Sequence, residues 1–242
     1  MIIPILILLG ASVASVATGA SFLGITLADG KGGSQVGIPM QITILMTLLA
    51  LLPAAIMSVT PFLRISIVLH FLRQALGTQS TPSNQVLIGL SLFLTMLVVS
   101  PLFTQIHDTA WVPMQQGELT GEQAIEQAGK PLSAFLLKYA REKDIKLFLE
   151  ISRAPAPRTP ADLEFKILIP AYIISELKTG FQIGAVLFLP FLVIDIVVAS
   201  VTLSIGMVQL PPVMLSAPFK ILLFVLVDGW NLLVGSLIKS FY

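Results

Sequence analysis

The chain has 242 residues, of which 55% are hydrophobic and only 11% are charged, and its mean hydropathy is +0.93. Soluble domains carry about 25% charged residues because their surfaces need polar cover, so this composition excludes an ordinary soluble fold and favours a membrane protein. A formal charge of +1 gives no sign of nucleic-acid binding. The lack of cysteine excludes a disulfide framework and a thiol nucleophile, and two histidines cannot by themselves supply a structural metal site.

The N-terminal segment 1–20 is typical of a signal peptide. It opens with a short apolar run, and small residues provide candidate cleavage positions at Ala17 and Ala20. Only the α-amino group supplies a positive charge before this run, so a short uncleaved span is the alternative. The Gly-rich polar stretch that follows favours cleavage and a short periplasmic segment at 21–38.

Four further apolar segments predict membrane spans, at 42–63, 86–106, 181–208 and 221–238. Each is near or above the length of about 18–20 residues that crosses the hydrocarbon core. Backbone polar groups in lipid must be satisfied within the segment, so the spans are predicted to be helices. The segments lack strict alternation of apolar and polar residues, which argues against barrel strands.

A short basic hairpin is predicted between the first two spans. Its only charges are Arg64 and Arg73, and an excess of Lys and Arg in short loops marks the cytoplasmic side. Gly77 is a good helix stop. Thr81 and Pro82 are predicted to be the N-cap and the first residue of the second span.

The longest polar region, 107–166, carries charges of both signs and is expected to be periplasmic, on the same side as Tyr242. Within it, Thr120 and Gln123 fit a capping box. Pro131 can open a helix, and its expected apolar stripe consists of Leu132, Phe135, Leu136 and Tyr139. Charged residues at 141–144 interrupt this helix, and the Pro-rich stretch 154–160 is predicted to be an extended linker.

No catalytic motif is found in the sequence, which contains no Walker-type glycine loop, no G-x-S-x-G and no H-E-x-x-H. The protein is therefore not expected to be an enzyme or to carry a cofactor. Asp195 and Asp228 are predicted to be buried membrane charges, since ionisable groups inside spans usually pair in a bundle interior or line a pathway. Two interpretations are open for each aspartate. It either forms a satisfied contact between helices, or it acts at a subunit interface or in proton coupling.

Glu176 and Lys220 also lie in apolar surroundings. Because an unpaired buried charge is costly, they are predicted to pair with one another where subunits or helices pack. The alternative is two independently solvated residues. A charge-reversal double mutant separates these two interpretations.

Prolines are predicted to interrupt the spans, at Pro53, Pro61, Pro101 and Pro190. A tight apolar turn also joins the last two spans, and it contains Met207, Val208, Gln209 and Leu210. Met is flexible and adapts to irregular partners, so a ring of such loops could form a deformable hydrophobic constriction. An ordinary packed turn is the alternative.

The predicted organisation has five parts. A signal peptide at 1–20 and the periplasmic segment at 21–38 come first. A first helical hairpin with a cytoplasmic-side turn follows at 39–106, then the periplasmic helical region at 107–166 and a second helical hairpin with a pore-side loop at 167–242.

Long stretches of the sequence are recognisable as motifs: FLRQALGTQ at 71–79, NQVLIG at 84–89, SELKTGFQIG at 175–184, FLPFLVID at 188–195 and PFKILLFVLVDGW at 218–230. Together they resemble the FliP family, and the resemblance covers nearly all of the chain after the signal segment. It implies an all-α, polytopic protein of the bacterial inner membrane whose helical hairpins assemble into an oligomeric ring.

The same resemblance implies a function and partners. Members of that family are subunits of the flagellar type III protein export gate, with five copies surrounding a channel for unfolded flagellar subunits. FliQ and FliR complete the assembly, FliO assists it, and FlhA and FlhB act beside it. An injectisome-type export gate is the alternative, with a small-solute or ion permease and a purely structural scaffold as rivals from other classes.

One departure from the family concerns the constriction. Family members often carry adjacent Met residues in the loop after the third span, whereas here only Met207 keeps that character. The resemblance therefore implies a sealing role for Met207 alone.

Overall fold

The computed structural model describes residues 38–78, 80–153, 157, 159, 162–206 and 211–242. Within these residues the chain forms nine α-helices and no strand, which confirms the all-α class. The helices are α1 (Ile38–Ser58), α2 (Phe62–Ala75), α3 (Asn84–Ile106), α4 (Val112–Gln115), α5 (Gly121–Tyr139), α6 (Glu142–Ser152), α7 (Phe165–Ser204), α8 (Pro212–Leu226) and α9 (Gly229–Lys239). The candidate cleavage positions Ala17 and Ala20 and the loop 207–210 lie outside the described residues.

Two compact units divide the chain, 1–49 and 50–242. The described part of the first unit is the N-terminal half of α1, whose side chains are mostly exposed. The remaining elements belong to the second unit.

The helix that the sequence assigned to a basic connecting hairpin is the centre of the second unit. α2 packs most extensively against α7 and also against α3. It is the most buried helix, with fully buried apolar side chains at Ile65, Val68, Leu69 and Leu72. The sequence predicted a short basic hairpin here and did not anticipate this burial, which arises because the apolar side chains of α2 recur on the faces that meet α3 and α7.

Only one of the four predicted proline breaks coincides with a break in a helix. Pro61 separates α1 from α2, whereas Pro53, Pro101 and Pro190 lie inside α1, α3 and α7. Pro61 directly precedes the first residue of α2, where backbone N–H groups have no intrahelical partner and proline therefore costs little.

The ends of α2 and α3 were predicted in part. Gly77, with φ +72°, follows the last residues of α2 as expected of a helix stop. α3 begins later than predicted, because its N-cap is Ser83 rather than Thr81. The Ser83 Oγ accepts a hydrogen bond from the Val86 N–H at 3.4 Å.

The polar region contains two amphipathic helices. The capping box of Thr120 and Gln123 is confirmed at the start of α5. Pro131 lies inside α5 rather than at its start, since the capping box begins the helix about three turns earlier. Leu136 is buried, and it packs with the rest of the predicted stripe, Leu132, Phe135 and Tyr139.

α7 is much longer than the span predicted from its hydropathy. Its 40 residues extend about 60 Å at 1.5 Å per residue, roughly twice the thickness of a hydrocarbon core. Its first half packs against α2, α5 and α6, and its second half packs against α8. α7 therefore joins the polar helices to the last hairpin.

By length and composition, two described segments can cross a membrane, Asn84–Gln115 and Phe165–Ser204. Two further pairs, α1 with α2 and α8 with α9, qualify if each broken pair is one span. Large apolar side chains are exposed on α1, α3, α8 and the second half of α7, among them Leu45, Met46, Phe93, Leu97, Val193, Val197, Phe219 and Leu226. Such surfaces belong against lipid or other subunits.

Candidate functional site: buried ion pairs along α7

A buried ion pair joins the start of α2 to the first half of α7. The Arg64 Nε donates to Glu176 Oε2 at 2.9 Å, and its Nη2 donates to the other carboxylate oxygen. The Arg64 side chain is 5% exposed and that of Glu176 is fully buried. A bidentate guanidinium–carboxylate pair is among the strongest side-chain contacts, so it holds α2 and α7 at a defined position.

The same guanidinium holds the residues that follow α9. Arg64 Nη1 donates to the Ser240 carbonyl and hydroxyl oxygens, both at 3.2 Å, and the guanidinium carbon lies 4.1 Å from the centre of the Phe241 ring. Tyr139 Oη and Lys138 Nζ donate to the Phe241 carbonyl at 2.6 and 3.3 Å. Arg64 thus connects four elements, α2, α5, α7 and the end of the C-terminal hairpin.

These contacts correct two predictions. The Glu176–Lys220 pair is wrong within the chain, because Arg64 occupies the Glu176 carboxylate and Lys220 lies against a different acid. The second correction concerns the side of the membrane. Arg64 was predicted to be cytoplasmic and Tyr139 periplasmic, but the Arg64 guanidinium lies 5.7 Å from the Tyr139 ring, so both must lie on the same side. That distance is far below the roughly 30 Å of a hydrocarbon core. Arg73 alone then supports the predicted side of the α2–α3 turn.

A second polar contact joins α6 to Ser175 of α7, the residue that precedes Glu176. Asp144 accepts hydrogen bonds from the Ser175 hydroxyl at 2.6 Å and from the Arg141 guanidinium at 2.7 to 2.9 Å. The Arg141 backbone N–H donates to the Ser175 Oγ at 2.9 Å. Ser175 and Glu176 are adjacent in the chain, so one turn of α7 holds both α6 and α2.

Acid is expected to loosen α6 from α7. Burial by itself raises the pKa of Asp144, but hydrogen bonds from Ser175 and Arg141 outweigh it, so the pKa lies below the usual 3.8. A carboxylate with a lowered pKa stabilises the folded state fully above its unfolded pKa and loses that contribution as pH falls through its folded value. The protection factors of the α6 amides, which are corrected for the intrinsic pH dependence of hydrogen exchange, should therefore fall below a pH of about 3.8. Asp144→Asn should already exchange faster at neutral pH and lack this transition; an unchanged acid transition would contradict the assignment.

A third buried polar group joins the second half of α7 to α8. Lys220 Nζ donates to Asp195 Oδ2 at 2.7 Å, and the Ser216 hydroxyl donates to Asp195 Oδ1 at 2.5 Å. The side chain of Lys220 is 2% exposed and that of Asp195 25%. Asp195 is therefore in a satisfied interhelical contact, one of the two alternatives that the sequence left open. Ser216 lies four residues before Lys220 and therefore on the same face of α8, and this spacing could have identified that face as the partner of Asp195.

Asp228 is not a buried charge in the chain. It lies in the break between α8 and α9, in a left-handed conformation with φ 51°, and is exposed. Its Oδ2 accepts a hydrogen bond from the Asn231 side chain at 3.1 Å. The prediction assumed one straight span here, whereas the helix bends by 68° at this point. Asp tolerates the left-handed region better than most residues because its short polar side chain can bond locally.

Two glycines allow α7 to approach α2 closely. A Cβ on Gly180 would lie 3.3 Å from Ile67, and one on Gly184 would lie 2.6 Å from the Phe71 ring. Their four-residue spacing places both on one face of α7, the small-xxx-small arrangement by which helices pack closely in membranes. This seam lies between the Arg64 and Asp195 ion pairs.

These features define the class of protein: a polytopic, all-helical membrane protein whose helices are held together by buried ion pairs. In the described ranges no group of three or more His, Asp or Glu could hold a metal ion. The family is given by comparison with known proteins. The chain belongs to the FliP family, whose model matches residues 45–237.

The chain is similar along most of its length to curated members of this family. It is 48% identical over 212 residues to the flagellar biosynthetic protein FliP of Pectobacterium carotovorum subsp. carotovorum, which covers 88% of this chain and 82% of that protein. It is 47% identical over 207 residues to the flagellar biosynthetic protein FliP of Bacillus subtilis (strain 168), covering 86% and 94%. The protein of the same name from Cereibacter sphaeroides is 46% identical over 221 residues, covering 91% and 73%.

Proposed function

We propose that this chain is a subunit of the flagellar type III protein export gate in the bacterial inner membrane. In this role it forms the core of a channel that conducts unfolded flagellar subunits and has no catalytic activity of its own. The observation that carries the proposal is the similarity over most of the chain to relatives named flagellar biosynthetic protein FliP. The names of these relatives favour the flagellar alternative over an injectisome.

The distribution of polar and apolar side chains supports an assembling subunit. Its buried charges, such as Arg64, Glu176 and Lys220, face other helices of the same chain. Its exposed surface on α1, α8 and the second half of α7 is apolar and needs lipid or further subunits as cover. In the proposed assembly, other copies of this chain in a pentamer, together with FliQ and FliR, cover this surface. FliO assists the assembly, and FlhA and FlhB act beside it at the flagellar basal body.

The proposed constriction is the loop of Met207, Val208, Gln209 and Leu210, with the α2–α3 turn on the cytoplasmic side and 107–166 in the periplasm. An apolar ring formed by five such loops would exclude water and ions while unfolded chains are absent.

Crosslinking a stalled export substrate tests the function. A photoreactive residue at Met207 or Leu210, in a cell whose own copy is deleted, is expected to capture an export substrate carrying a folded plug. The matched control is the same probe at Ile125, which is exposed on α5 and should capture none. Restored motility without any substrate adduct at Met207 or Leu210 would instead indicate a scaffold for other channel subunits.

A permease is distinguished by size. A gate subunit extracted in mild detergent should run as a large ring, whereas a permease should be complete as a monomer or a simple dimer.

A further inference from the structure

The contact between α7 and α8 depends on a single narrow stripe of α8. Its buried residues are Ser216, Lys220 and Phe224, which recur every four residues on one face. Phe224 meets Phe191 of α7, with ring centroids 6.4 Å apart. The other two positions both meet the carboxylate of Asp195.

Apolar packing alone does not select one position of α8 along α7. Outside the stripe α8 presents large exposed apolar side chains, and the facing half of α7 is equally apolar. A slip by one helical turn, about 5.4 Å, would exchange one aliphatic contact for another. The same slip would leave Lys220 buried beside hydrocarbon and Asp195 without its donors, which is strongly unfavourable. The polar residues therefore discriminate among registers that the apolar ones leave nearly equivalent.

The register of α8 also determines what its first turns contact. A Cβ placed on Gly77, in the turn between α2 and α3, would lie 3.6 Å from the Ala217 Cβ and 3.8 Å from Val213 Cγ1. A shift of α8 along α7 would break this contact. The Asp195 cluster thus fixes the first turns of α8 against the α2–α3 turn.

We propose that Asp195, Ser216 and Lys220 form a register pin, a set of positioning residues that holds α8 at one height along α7. Its consequence for the channel rests on the proposed function, because the start of α8 adjoins the loop assigned there to the constriction. The pin itself is a statement about two helices, and it is measured independently of export.

Disulfide crosslinking in membranes measures the register directly, since the chain has no cysteine of its own. The reporter pair is Gly77→Cys with Ala217→Cys, whose Cβ separation of 3.6 Å suits a disulfide. Because Gly77 has φ +72°, where a side chain is strained, every yield is compared with that of the same cysteine pair in the unreversed chain. Lys220→Asp and Asp195→Lys should each lower the crosslink yield on the order of tenfold. Combining both reversals should restore the yield to that of the unreversed chain.

A second crosslink controls for misfolding. Ile67→Cys with Gly180→Cys joins α2 to α7 and should form whether or not the pin is intact. Its Cβ separation of 3.3 Å is slightly shorter than is usual for a disulfide, so its yield is compared with that of the same pair in the unreversed chain. If a reversal abolishes both crosslinks, the milder Ser216→Ala is decisive, since it should lower the reporter yield and spare the control. Lys220→Arg, which keeps the charge, should retain most of the reporter yield.

Two results overturn the pin. In the first, the reporter crosslink forms in both single reversals. In the second, the reporter crosslink is not restored in the double reversal although the control crosslink forms. An export assay on the unreversed chain separates the two proposals. If the crosslinks behave as expected but the unreversed, assembled protein exports no substrate, the proposed function fails and the pin stands. If the crosslinks do not change, the pin fails whatever export does.

Discussion

Replacing Arg64 by alanine is expected to destabilise the folded chain by about 3–5 kcal/mol, because it would leave Glu176 buried without its partner. The side chain of Glu176 is fully buried, so solvent does not replace the lost partner in the folded chain. The substitution also removes the donors to Ser240 and the cation over Phe241, so the end of the C-terminal hairpin should detach. The free energy of unfolding in detergent and the yield of assembled particle measure the loss.

The control for this prediction lies on the same helix. Arg73→Ala removes an identical side chain that is only half-buried and contacts His70 and the Pro82 carbonyl. Such a contact is expected to contribute no more than about 1 kcal/mol. Equal losses from Arg64→Ala and Arg73→Ala would mean that the buried pair has no special role.

Charge reversal distinguishes the observed pairing from the one expected from sequence. Arg64→Glu with Glu176→Arg should recover part of the stability that each single reversal loses. Glu176→Lys with Lys220→Glu should recover nothing, since these two residues meet different partners. The opposite pattern would restore the sequence-based pairing, between neighbouring copies of the chain.

Gly184→Val is expected to separate α7 from α2 and cost about 1–3 kcal/mol, the range of overpacked cores. Even the Cβ of the new side chain would lie 2.6 Å from Phe71 Cγ and 3.0 Å from Phe71 Cβ. The Phe71 Cβ is fixed by the backbone of α2, so a rotamer change cannot relieve that second contact. Unfolding in detergent measures the cost. A compensating Phe71→Ala should recover part of it, because that removes the ring that the new side chain meets.

Gly89→Ala is the matched control for this substitution. Gly89 lies inside α3, and a Cβ there meets nothing within 4 Å. Alanine at an interior helix position is favoured over glycine by up to about 1 kcal/mol, so this variant should be neutral or more stable. If Gly184→Val is equally harmless, the close approach of α7 to α2 is not required for the fold.

The C-terminal hairpin shows how far local patterns reach. Hydropathy at 221–238 correctly indicated an apolar helical segment. It gave no sign that the segment bends at Asp228. Next to the bend Gly229 closely approaches Phe224, where a Cβ would lie 2.2 Å from the ring. Arg64, from a distant part of the chain, holds Ser240 beyond the bend. The sequence analysis treated this segment as one straight span and so did not place Asp228 in a break between two helices.

The sequence by itself determined the class of this protein, the all-α fold, the capping box at Thr120 and the helix stop at Gly77. These depend on composition and on neighbours within a few residues, and lipid solvates any sufficiently long apolar helix without reference to the rest of the chain. Only the tertiary structure decided which charges meet. Arg64 and Glu176 are 112 residues apart, and Asp195 and Lys220 are 25 apart. Any acid in these segments could have satisfied either base, and the choice follows from the close packing of α7 on α2 and α8.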